Sequence, residues 1–213
     1  MVQGLENRLD RMRLEAIEKM IASGNCDPER LKALMRRYVR VEKVAIKDIK
    51  LRTFISEGDT RNDLAAHVYD VTYGIIRPGE DNLVVIDDSI VRGTTLRQSI
   101  LEMLGRLKPK KIVVVSSSPQ VRYPDYYGID MSHMNEFCAF RAAVELLIES
   151  GRKELLEDVY EKCKSLLEAP DSDLYNPVKE IYDPFTDDEI SAKIAEMLTP
   201  PDCTSEVRLI YQS

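Results

Sequence analysis

Residues 84–95 read Val84-Val85-Ile86-Asp87-Asp88-Ser89-Ile90-Val91-Arg92-Gly93-Thr94-Thr95, and this segment limits the fold more than any other. An apolar run suited to one buried strand, 83–86, ends on two carboxylates and a Ser-x-x-x-Gly-Thr-Thr loop. Helical apolar spacing follows through Leu96, Ile100, Met103, Leu104 and Leu107, and a second apolar run, 111–115, comes next. That order predicts a strand, a loop, a helix over 95–107 and a second strand. Short, wholly apolar strands joined through a helix imply a parallel sheet covered on both faces, with a right-handed crossover. The loop then lies at the carboxyl end of its strand, where open α/β sheets bind ligands. Gly93 lets backbone approach a phosphate, Ser89, Thr94 and Thr95 offer hydroxyl donors, and amides at the helix start add partial positive charge. Asp87 and Asp88 can receive sugar hydroxyls, so the segment suits a pentose phosphate. In isolation, Asp-Asp caps a turn and Gly permits one; the full combination in a strand-turn-helix context points to a site.

The rest of the chain sets the frame. With 213 residues and a hydrophobic fraction of 44%, it can bury one good core with a smaller attachment. Charged residues of mixed sign and a net charge of -7 give no continuous basic field, which argues against a nucleic-acid partner. The apolar runs are too short to cross a bilayer, and the first twenty residues are rich in Arg and Glu. The expectation is a cytoplasmic protein with neither signal peptide nor membrane span. Cys26, Cys138, Cys163 and Cys203 lie far apart, as expected of reduced, structural thiols.

Leu5, Leu9, Met12, Ala16 and Met20 predict an amphipathic helix over 3–22. Asp27-Pro28 restarts a helix to about Tyr38. Residues 44–55 have strand character, and 61–76 are uncommitted. Helices are expected at 135–149 and 153–168. Thr186-Asp187-Asp188-Glu189 is a capping-box sequence opening a last helix to about Leu198. The expected organisation is a charged helical segment at 1–43, an α/β core at 44–150 and a helical extension at 151–213.

The apolar strand, paired acids and Ser-x-x-x-Gly-Thr-Thr loop resemble the signature of the type I phosphoribosyltransferases. A narrower resemblance comes from Arg52-Thr53-Phe54-Ile55, Ser117-Ser118-Pro119, and Tyr127-Gly128-Ile129-Asp130-Met131 followed by Asn135-Glu136. Their order around the loop, over residues 51–141, resembles amidophosphoribosyltransferase, also called glutamine PRPP amidotransferase, where PRPP is phosphoribosyl pyrophosphate. The resemblance implies an α/β fold with the parallel sheet of that kind, incomplete at its front, and peripheral helices. It implies formation of 5-phosphoribosylamine from PRPP and glutamine-derived ammonia in purine synthesis. Ser89, Ile90, Val91, Arg92, Gly93, Thr94 and Thr95 would hold the 5-phosphate; Asp87 and Asp88 would bind the ribose hydroxyls and a magnesium ion. PRPP and purine nucleotides are the implied ligands, and a homo-oligomer the implied assembly.

The chain departs from that family in several places. It opens Met1-Val2-Gln3-Gly4, where the family has a cysteine-led glutaminase domain, so that domain is expected from another part of a longer chain. Residues 1–50 lack a recognisable pyrophosphate loop, and Val68-Tyr69-Asp70 stands near the family's Lys-Leu-Asn. Asp125 follows Pro124 where some members place a cluster-binding cysteine, and no iron-sulfur cluster is expected. His67 and His133 are read as surface or hydrogen-bonded histidines, Tyr123, Tyr126 and Tyr127 as packing and loop residues. Two alternatives stay open: a salvage phosphoribosyltransferase acting on a nucleobase, and a non-catalytic module that binds PRPP or purine nucleotides.

Overall fold

A computed structural model of the chain describes residues 2–42, 44–47, 69–72, 74–125, 131–168, 170 and 175–212. The chain divides into two compact units, Met1–Lys43 and Val44–Ser213. In the first, α1 (Val2–Ala22) is the long helix its apolar spacing predicts, and Met20 is its buried residue. Asp27 caps α2 (Pro28–Met35), its carboxylate accepting the Glu29 amide at 3.0 Å. This helix ends before the expected Tyr38. None of its residues is buried, so packing does not extend it beyond what its cap supports.

The second unit contains a short antiparallel pair, β1 (Ala45–Lys47) with β2 (Tyr69–Val71). The remainder of the strand expected at 44–55 lies outside the described residues. Its main sheet is parallel and three-stranded, in the order β3 (Asn82–Asp87), β4 (Lys111–Ser116) and β5 (Glu206–Ile210). Between β3 and β4 lies a π-helical segment, Leu96–Leu101, that continues as α3 (Glu102–Arg106). Between β4 and β5 come α4 (Cys138–Glu149), α5 (Lys153–Leu166), α6 (Lys179–Tyr182) and α7 (Asp187–Leu198). The chain is thus α/β with an open parallel sheet. The segment expected to be a helical extension, 151–213, also supplies β5. Alternating Glu206-Val207-Arg208-Leu209-Ile210 is too short and too charged to stand out as a strand before its partner β4 is known.

The strands run through the sheet in one direction. Right-handed crossovers in such an order carry every connecting helix to the same face, and burial follows that rule. Ile112, Val114 and Leu209 are buried with Leu101, Leu104, Ala142, Leu147, Ile190 and Ile194. On the other face Val84, Ile86 and Ile210 are 51%, 43% and 50% exposed. This corrects the expectation of a sheet covered on both faces. Apolar residues on both sides of a strand record a tendency to be covered, whereas coverage itself requires a reversal of strand order, which the described strands do not contain.

The last helix is fixed at its start and along its length. Thr186 and Glu189 form the expected capping box: the Glu189 amide donates to the Thr186 hydroxyl at 3.2 Å, and the Thr186 amide donates to the Glu189 carboxylate at 2.7 Å. Along α7, the Lys193 ammonium donates to Glu149 on α4 at 2.6 Å and to Glu196 at 3.1 Å. Replacing Thr186 by Ala is expected to cost about 1 kcal/mol. Chemical denaturation should show the loss as a lower midpoint with an unchanged slope.

Candidate functional site

Strand β3 ends on the two carboxylates. Asp87 lies opposite Ser116 in the parallel ladder, on the helix-covered face, and its carbonyl accepts the Ser117 amide at 2.9 Å. The structure therefore brings the start of the Ser117-Ser118-Pro119 motif to the root of the loop. Asp88 is exposed. Each carboxylate accepts the next amide: Asp88 N–H to Asp87 Oδ1 at 2.9 Å, and Ser89 N–H to Asp88 Oδ1 at 2.7 Å. Both bonds lie where the chain leaves the sheet.

Partial burial raises the Asp87 carboxyl above its ordinary value, an effect opposed by the Asp88 amide and reinforced by the Asp88 charge. Adjacent acids that repel one another favour an arriving cation. Magnesium is commonly held by one or two carboxylates, waters and substrate phosphates, and this pair fits that donor set. Among the described residues no group of three or more His, Cys, Asp or Glu side chains gathers as a metal cage.

The loop is anchored from beneath by parts of the chain far away in sequence. Ile90 is buried, and the Val91 carbonyl accepts the Cys138 amide at 2.8 Å. Arg92 pairs with Glu136 at 2.6 Å. Gly93 has φ +71, in the left-handed region, and a Cβ there would come within 2.6 Å of the Leu198 methyl groups. The backbone conformation favours glycine at this position, and any side chain there would also have to displace that of Leu198. After it, the Arg97 amide donates to the Gly93 carbonyl at 2.9 Å to begin the helix. Ser89, Thr94 and Thr95 are exposed at its mouth. The following turns are π-helical, a wide winding common near functional sites that apolar spacing does not distinguish from α.

Glu136 was marked in the sequence only as part of the Asn135-Glu136 motif, and Cys138 and Leu198 had no functional signal there. The expected helix at 135–149 is broken: Met134–Glu136 form a 3-10 turn, and Phe137 is extended, with φ −73 and ψ 127. Phe137 is fully buried, and the break that seats it turns the Cys138 amide toward the loop instead of into a helix. Burial pushes the Cys138 thiol up to about 11, so it stays protonated at neutral pH and serves packing. Tyr123 packs edge-on against Tyr182, ring centroids 5.7 Å apart. His133 is exposed at the head of the 3-10 turn. Arg52-Thr53-Phe54-Ile55, His67 and residues 126–130 lie outside the described residues, so the arrangement of those motifs about the loop is not part of this geometry.

No family model matches the chain. Part of it is similar to proteins named amidophosphoribosyltransferase. It is 47% identical to that of Pasteurella multocida over 66 residues, which is 31% of this chain and 13% of the relative. Against the Escherichia coli (strain K12) protein the identity is 42% over 66 residues, again 31% and 13%. Against the Schizosaccharomyces pombe protein it is 30% over 91 residues, 40% of this chain and 17% of the relative. The matched stretch thus spans less than a fifth of the length of these curated relatives.

Two outcomes follow from the loop. Gly93→Ala should destabilise the protein by about 1–3 kcal/mol through strain and overpacking, and adding Leu198→Ala should relieve the steric part, seen as non-additivity in thermal unfolding. Asp87→Asn should raise the melting temperature at neutral pH. A raised folded-state pKa means that the ionised carboxylate opposes folding, so the mutant's advantage should shrink as pH falls and Asp87 protonates in both states. A pH series of melting curves on both proteins checks the sign.

Proposed function

We propose that residues 87–95 bind PRPP with magnesium, and that this chain is the PRPP-binding portion of an amidophosphoribosyltransferase. The observation that carries the reading is the Asp87-to-Thr95 turn at the carboxyl end of a parallel strand, leading straight into a helix. Partial sequence identity to proteins of that name supports it. The Ser89–Thr95 backbone amides and hydroxyls receive the 5-phosphate, and the carboxylates of Asp87 and Asp88 accept the ribose 2- and 3-hydroxyls. Bound magnesium supplies charge neutralisation for pyrophosphate.

In the reaction, ammonia forms a bond to the anomeric carbon as the bond to pyrophosphate breaks. The nitrogen then loses a proton to give 5-phosphoribosylamine. The protein's contribution is to hold the sugar in place and to balance charge. Ammonia comes from glutamine through a glutaminase domain elsewhere in a longer polypeptide, in a cytoplasmic homo-oligomer that takes part in purine synthesis.

Isothermal titration with PRPP and magnesium tests the binding step. Hydrogen bonds to charged groups contribute roughly 1.5–3 kcal/mol each, so Asp87→Asn or Asp88→Asn should each weaken binding about 10- to 100-fold. An ammonia-dependent pyrophosphate assay then tests turnover. Binding without turnover would favour a non-catalytic PRPP module, base-dependent pyrophosphate release a salvage enzyme, and no binding by the folded chain would remove the reading.

A further inference from the structure

Strand β5 has one edge on β4. Among the described residues no strand pairs with the other edge. The amides of Glu206 and Gln212 donate toward the β4 side, to the carbonyls of Lys110 and Ser118. Backbone direction alternates along a strand, so Val207 and Leu209 turn their N–H and C=O groups outward. Beside this edge runs a groove of about 950 Å³, walled by the strand, by Asp187, Ser191, Ala195 and Glu196 of α7, and by Gln120 and Arg122. The groove borders β5 from Glu206 to Ile210.

The residues on either side of Val207 carry opposite charges. Glu206 and Arg208 both project to the open face of the sheet, where Glu206 meets Lys111 at 2.8 Å. We propose that β5 pairs antiparallel with β5 of a second copy of this chain, on a two-fold axis at Val207, to give a continuous six-stranded sheet. In that register Val207 exchanges both backbone bonds with Val207 of the second copy. Glu206 then stands opposite Arg208 of the second copy, and Arg208 opposite its Glu206. These are the non-hydrogen-bonded positions, where facing side chains come closest.

Each Glu206 is then flanked by Lys111 of its own chain and Arg208 of the other. A two-fold contact must be self-complementary, and this alternation satisfies that condition. An axis at Arg208 would oppose two guanidinium groups. The pairing also removes an exposed strand edge, which proteins otherwise have to protect. The interface does not depend on the loop's ligand.

Sedimentation equilibrium on the full chain, over a range of concentrations, is the test. Wild type should dimerise. Arg208→Glu and Glu206→Arg should each weaken the dimer about tenfold or more, because every cross-strand pair becomes like-charged. An equimolar mixture of the two variants should recover it as a heterodimer with every pair opposite in sign. Val207→Pro, which removes an outward-facing N–H and is tolerated on an edge strand, should weaken the dimer while circular dichroism keeps the sheet signal. Hydrogen exchange at Val207 and Leu209 should slow as concentration rises. A wild type that stays monomeric at every concentration, a dimer indifferent to charge reversal, or a mixture that fails to recover would each overturn the proposal.

Discussion

Everything in the larger unit hangs on β4. It is hydrogen-bonded in register to β3 on one side and to β5 on the other, and Ile112 and Val114 are fully buried under the helical layer. Fixing β4 fixes where β3 ends, and hence where the chain must leave the sheet. It also brings the end of the sequence into the core, because β5 pairs with β4 and the preceding α7 packs on α4. The loop at 88–93 is local in sequence, but its support arrives from residues 136–138 and from Leu198.

That distribution accounts for the loop's mixed character. Its underside is apolar and tightly fitted at Ile90 and Gly93, while its upper side is exposed and polar at Asp88, Ser89, Thr94 and Thr95. A fitted underside gives the exposed groups a fixed geometry, and preorganised donors and acceptors need less rearrangement when an anion or sugar arrives. Partial desolvation of Asp87 opposes folding at neutral pH.

Much of this was legible in the sequence. The β3-loop-helix-β4 unit was plain because its apolar runs are short and its breakers well placed, and the capping box at Thr186 needs only side chains three residues apart. What could not be read depended on distant partners. Phe137 interrupts a stretch of good helical spacing, extended in backbone and fully buried in the core. Arg208 and Glu206 hide a strand that forms because β4 supplies the other half of its bonds. The one-sided layering follows from strand order, which no single segment encodes. Residues 126–130 and 48–68, which hold several of the motifs read beside the loop, lie outside the described structure.

The inner face of β3 places Leu83, Val85 and Asp87 in a row opposite Ile112, Val114 and Ser116. Because β3 is apolar on both sides from Leu83 to Ile86, those four residues would tolerate several alignments with β4. A slip of two positions toward the start of β4 would set the Asp87 carboxylate opposite fully buried Val114 instead of Ser116, an apolar setting that disfavours its charge. A slip of one would turn it out to the bare side of the sheet and bring Ile86 in. Asp87 therefore also acts as an index mark for the ladder, and the chemistry at the tip of the strand helps the chain find its own alignment.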